Sequence, residues 1–156
     1  MAEAPGMVES SSRALHEQLQ RIYVLLDDGD RRALRGAGVS PTQYTLLRHL
    51  AASPSDALTI SRLAEVLLCT RGNATRLVRR LVEHGLVCTR GDESDLRVVL
   101  VSLTEEGRRR LGIAERALDK ANHRRFSGLS EQECSALHDL TQTVADVLGK
   151  DLENHP

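Results

Sequence analysis

The sequence predicts a mainly α fold that carries one small β-hairpin (α+β). Three observations support this reading. Apolar residues recur at helical spacing in almost every segment of the 156-residue chain. Serine, threonine, proline and glycine stand where helices would start and stop. The period shortens to that of a strand in one region only, where Leu86 to Arg90 and Val98 to Leu103 flank the polar stretch Gly91 to Arg97.

From about Ser11 to Leu34, the residues Leu15, Leu19, Ile22 and Leu26 form the stripe of a long amphipathic helix. Gly36 and Gly38 stop it. Ser40 caps the next helix, with Pro41 at the first helical position, where no amide hydrogen is needed. That helix runs to about Ala52 and buries Tyr44, Leu47 and Leu50. Ala51 to Leu58, with Ser53-Pro54-Ser55, reads as a loop. Thr59 caps a short helix with Ile60, Leu63, Ala64 and Leu67 inward. After a turn at Cys69-Thr70, a helix from about Arg71 to His84 points Ala74, Leu77, Val78 and Leu81 inward. It ends at Gly85, which readily takes the left-handed conformation.

Beyond the hairpin, Thr104 caps a helix that runs to about Phe126. Its first turn holds Glu105 and Glu106, where the helix dipole favours anions. Gly128 breaks it. Ser130 to Glu133 forms a capping box for a last helix carrying Leu137, Leu140, Val144 and Leu148.

Composition excludes several classes. With 40% hydrophobic and 28% charged residues, the chain can bury a core without disulfides or a metal. Its three cysteines (Cys69, Cys88, Cys134) are widely spaced, as expected of reduced thiols in a cytoplasmic protein. Cys88, on a strand, is expected in the core, and Cys69 as a small buried residue of its turn. Residues 1–12 lack the basic start and apolar stretch of a signal peptide. No apolar run approaches the ~20 residues of a membrane span, so no membrane partner is expected. Aromatic residues make up 2%, too few for platforms that stack single-stranded bases. The net charge is −1, so any attraction to nucleic acid must be local.

Such a local concentration exists. The helix after Cys69-Thr70 holds Arg71, Arg76, Arg79 and Arg80 against one acid, Glu83. With its apolar residues inward, Gly72, Arg76 and Arg79 point outward, and Asn73 and Arg80 lie on the flank. Two short helices joined by a tight turn form a helix-turn-helix, whose second helix fits the major groove of double-stranded DNA. Arg can bond guanine in bidentate fashion, Asn can do so with adenine, and Thr can hold a phosphate or a thymine methyl. Thr70, Arg71, Gly72, Asn73, Arg76, Arg79 and Arg80 are therefore the candidate DNA-binding residues, with Gly72 permitting close approach to the groove floor. The hairpin would act as a wing, placing Arg97 in the neighbouring minor groove, where negative potential favours Arg. Asp95 is expected to pair with Arg97 or another Arg and fix the tip.

The chain thus divides into a flexible arm, or the frayed start of a helix, at 1–11, a winged helix-turn-helix at 40–103, and helical regions at 12–36 and 104–150. The apolar stripes of these flanking helices are too wide for the central block to cover, and a closed two-fold homodimer would bury them.

The stretch Asp95-Leu96-Arg97, Val101-Ser102-Leu103-Thr104 and Gly107 follows the pattern D-x-R-x-x-x-V-x-L-T-x-x-G. With Leu63-Ala64-Glu65 and Asn73 through Leu81 to Gly85-Leu86-Val87, it resembles the MarR family of bacterial transcriptional regulators, over roughly residues 12–148. The resemblance implies a dimer of winged helices that represses, less often activates, at a palindromic operator. Small ligands or thiol oxidation would relieve binding. The family's wing arginine falls on Arg97, its wing aspartate on Asp95, and its recognition-helix contacts on Thr70 to Asn73 and Arg76. Leu96 replaces a second basic wing residue, and Gly72 and Asn73 stand where Ser and Thr are usual. No cysteine precedes Cys69, so oxidation sensing at the first helix is unsupported.

Other readings have less behind them. Cys134 and His138 share a helical face, but a metal needs three or four converging ligands. Cys69 lies just before a helix N-terminus, so a thiol-based redox switch there is one alternative. A winged module that binds protein instead of DNA is another. No nucleophile elbow, phosphate loop or dinucleotide fingerprint is present, so neither catalysis nor a cofactor is expected. A small-molecule effector is expected, but no pocket residue is assigned. Arg13, His16, Arg48, His49 and Arg116 are the basic residues available to an anion.

Overall fold

The computed structural model describes residues 5–92, 95 and 98–155. In chain order the elements are α1 (Pro5–Leu34), a 3-10 turn (Arg35–Ala37), α2 (Pro41–Ala51), β1 (Ala57–Thr59), α3 (Ile60–Val66) and α4 (Arg71–Glu83). The hairpin strands β2 (Val87–Gly91) and β3 (Val99–Leu103) follow, then α5 (Glu105–Phe126) and α6 (Glu131–Asn154). The architecture is mainly α with a β wing, as the hydrophobic periodicity indicates.

The helix starts lie where the capping chemistry puts them. The Ser40 hydroxyl accepts from the Gln43 amide at 3.2 Å while the Gln43 side chain accepts from the Ser40 amide at 2.9 Å. Thr59 Oγ1 accepts from the Arg62 amide at 3.1 Å, and Thr70 Oγ1 from the Asn73 amide at 3.2 Å. Ser130 and Glu133 complete a second capping box. Each bond satisfies a donor that the first helical turn leaves open.

Two features depart from the sequence reading. α1 starts at Pro5, not near Ser11, so part of the stretch read as a flexible arm or frayed helix start is helical. Proline suits a first helical position, and neither glycine nor proline interrupts residues 7–28. The loop read over Ala51 to Leu58 ends in a short strand. β1 pairs antiparallel with β3 (Ala57 with Ser102, Leu58 with Val101, Thr59 with Leu100), giving a sheet of order β1-β3-β2. Thr59 both closes that strand and caps α3.

The chain forms two compact units, Met1–Asp119 and Lys120–Pro156, and α5 runs from the first into the second. The core of the first unit joins Leu34, Leu46, Leu47, Leu50, Leu63, Val78, Leu81, Leu86, Val101 and Leu111. In it α2 and α3 hold the inner face of α4 against the base of the hairpin. In the second unit α6 buries none of its residues.

The start of α5 is tied to the turn between α4 and β2. Gly85 takes a φ of 67°, which lets the Leu86 amide reach back to the Leu81 carbonyl at 2.9 Å. Thr104 Oγ1 donates to the Gly85 carbonyl at 2.6 Å and accepts from the Gly107 amide at 3.0 Å. The Thr104 amide donates to the Leu86 carbonyl at 3.1 Å. In the same first turn, hydrogen bonds from Arg109 and then Arg110 hold the Glu106 carboxylate down to a pKa of about 2. Arg110 also donates to the Ala37 carbonyl at 2.9 Å. Thr104→Val, which keeps the shape and removes the hydroxyl, should cost about 1–2 kcal/mol by loss of a cap and its second bond. Denaturant unfolding checks this, and an unchanged midpoint would show that neither bond matters.

Candidate nucleic-acid interface

Three pieces of backbone place the candidate residues: the turn between α3 and α4, the outer face of α4, and the hairpin. The turn is closed by the Leu68 amide on the Glu65 carbonyl (3.1 Å) and the Cys69 amide on the Ala64 carbonyl (3.0 Å). Leu68 takes a φ of 48°, unusual for a side chain other than Gly, Asn or Asp. Thr70 then turns extended (φ −68°, ψ 151°) and starts α4.

On α4, Ala74, Val78 and Leu81 are buried, and Leu77 packs half-buried against the same core. The opposite face is open: Thr70, Arg71, Gly72, Asn73, Arg76, Arg79 and Arg80 are all exposed. The Arg76 guanidinium donates to the Asn73 side-chain oxygen. Thr75 Oγ1 donates to the Arg71 carbonyl at 2.8 Å, and Arg79 stands 3.8 Å from Glu83. Arg71 and Arg80 have no side-chain partner among the described residues. At Gly72 a Cβ would meet nothing nearer than Thr70 Oγ1, at 4.0 Å, so nothing inside the chain calls for glycine there. The face is therefore a row of guanidinium groups on a helix whose N-terminal end carries the positive pole of its dipole.

The hairpin stands beside it. β2 and β3 pair from Val87 with Leu103 to Gly91 with Val99. Toward the tip, Asp92 donates its amide to the Val98 carbonyl (2.9 Å), and its carboxylate accepts from the Asp95 amide (3.2 Å). Asp95 thus sits within the turn that closes the tip. Arg97 lies outside the described residues, as does its expected pairing with Asp95.

A cleft of about 100 Å³ joins the starts of α3 and α4 to β3, lined by Thr59, Ile60, Ser61, Arg71, Val98 and Val99. Ser61 and the exposed Arg90 on β2 were not among the residues singled out from sequence. Only the fold brings Ser61 beside Arg71, since both line this cleft. Cys88 is exposed, not in the core, because β2 is an edge strand on which only Val87 turns inward. Cys69 is half-buried in its turn.

An α3-turn-α4 pair followed by a paired hairpin defines a winged helix-turn-helix protein. Residues 37–97 match the model of the MarR family. The organic hydroperoxide resistance transcriptional regulator of Bacillus subtilis (strain 168) is 31% identical over 93 residues, 60% of this chain. The chain spans about 60% of that relative's length. Sco3205, a MarR family transcriptional regulator from Streptomyces coelicolor whose crystal structure is in complex with DNA, is 28% identical with a TM-score of 0.79. That similarity covers 89% of this chain and 88% of the other. A MarR family transcriptional regulator from Rhodococcus sp. RHA1 is 26% identical with a TM-score of 0.75, over 92% of this chain and 96% of the other. No helix among the described residues is long and apolar enough to cross a membrane.

Proposed function

We propose that the chain is a cytoplasmic, sequence-specific DNA-binding regulator. In this reading it acts as a homodimer on a palindromic operator, represses transcription, and is released by a small-molecule effector. The observation that carries the reading is the open face of α4. Four arginines line a helix whose inner side is locked into the core, next to a hairpin of the right size to lie along a groove. A solvated face needs no such rigid seating, and a major groove does. Gly72, which the chain itself does not require, suits close approach to the groove floor.

Dimer formation is supported by the flanking helices. Leu15, Ile22 and Leu26 on α1, and Leu137, Leu140 and Leu148 on α6, are all exposed at helical spacing. Stripes of this kind mark a protein–protein surface. A two-fold dimer would set two copies of α4 about one helical turn apart, ~34 Å.

In a gel-shift titration against a selected operator, Arg97→Ala should weaken binding to all sequences. Arg76→Ala should relax base preference at one position, with a loss of ~1–3 kcal/mol. Unchanged operator affinity in both variants would refute this assignment of surfaces.

A further inference from the structure

We infer that the recognition face is built to read adjacent guanines, and that Asn73 acts as a hydrogen-bond donor there instead of as a reader of adenine. This rests on the DNA-binding reading above and concerns which bases the same face selects. A free asparagine reads adenine with both ends of its amide, the oxygen accepting from N6 and the nitrogen donating to N7. In this chain the Asn73 oxygen is already engaged by the Arg76 guanidinium, one helical turn on. What Asn73 presents outward is its NH₂, and the neighbouring positive charge disfavours the approach of an adenine amino group.

Thr70, Arg71 and Arg80 point the same way. The Thr70 hydroxyl oxygen is occupied by the Asn73 amide, and the Thr75 hydroxyl is turned to the Arg71 carbonyl. Arg71 and Arg80 offer donors only. The Asn73 and Thr70 oxygens each accept a bond from within the helix, the outward groups of Arg71, Asn73, Arg76 and Arg80 are donors, and Thr75 spends its one donor on the Arg71 carbonyl. Guanine presents two acceptors on its major-groove edge, N7 and O6, whereas thymine presents one, O4, beside its methyl group. Arg76 keeps enough free N–H groups to bond one guanine while it holds Asn73, and the Asn73 NH₂ reaches the next. Asn73 is thus a specificity-determining residue that works as a pair with Arg76.

The test is selection of bound duplexes from a pool with a randomised core, using the full chain, followed by replacement of single guanines with 7-deazaguanine. Enriched half-sites should carry two adjacent guanines on one strand, and loss of N7 at either should weaken binding about tenfold. Asn73→Asp retains an acceptor for Arg76 and removes the donors. An acid in the first turn suits the helix dipole, so the fold is preserved. This variant should keep the guanine preference under Arg76 and lose it at the neighbouring step. Adenine enriched at the step that depends on Asn73, or an Asn73→Asp protein with both preferences intact, would overturn the inference and leave DNA binding standing. No enrichment of any duplex would overturn both.

Discussion

Gly107→Ala should lower the melting temperature by roughly 6–12 °C, from a loss of about 3 kcal/mol in a chain of this size. A Cβ at this position would lie 1.9 Å from the Leu86 carbonyl oxygen and 3.2 Å from Leu103 Cδ2. Neither neighbour is free to move. The Leu86 carbonyl accepts from the Thr104 amide at 3.1 Å, and the Leu86 side chain is in the core. Shifting the start of α5 instead would break the two bonds made by the Thr104 hydroxyl. Helix propensity alone predicts the opposite sign, since alanine is favoured over glycine inside a helix by ~1 kcal/mol. Thermal unfolding at fixed protein concentration therefore separates the two effects. A melting temperature that rises or holds would show that α5 does not press on the Leu86 carbonyl.

Leu81→Ala should cost about 2–5 kcal/mol, the range for emptying a leucine site in a packed core. Leu81 is fully buried on the inner face of α4, and its carbonyl accepts from the Leu86 amide across the Gly85 turn. The cavity would open between the recognition helix and the base of the hairpin, the two elements whose relative placement the proposed function needs. Arg80→Ala, one residue away on the open face, should change stability by no more than about 0.5 kcal/mol. Denaturant titration of the pair checks both. Equal losses would mean that the inner and outer faces of α4 have been assigned wrongly.

What could be read from sequence here was what is decided locally. Ser40-Pro41, Thr59 and the Ser130–Glu133 box start helices because the cap residue's hydroxyl accepts from the amide three residues on, and that spacing is visible in one dimension. The basic face of α4 was legible for a similar reason, since four buried or half-buried positions at helical spacing fix where the arginines point. β1 was not legible. Three residues are too few for an alternating pattern, and they are a strand only because β3 lies beside them. Cys88 was placed in the core because it lies on a strand, but β2 is an edge strand on which only Val87 is buried. The glycine of the family pattern was recognisable at position 107, but its reason, a carbonyl from a turn about twenty residues earlier, exists only after folding. The Asn73–Arg76 pair was within reach of helical spacing. It was missed because each residue was considered alone against a base.

The most direct test of the account is the salt dependence of duplex binding by wild type and by Arg71→Ala/Arg80→Ala. Both guanidinium groups are exposed on α4 and have no side-chain partner among the described residues, so removing them should leave stability nearly unchanged. If this helix lies along a duplex and both groups neutralise phosphates, the slope of log affinity against log salt should become shallower by roughly 2, about 0.9 for each lost contact. An unaltered slope, with wild-type affinity at every salt concentration, would contradict the claim that α4 is the DNA-facing helix.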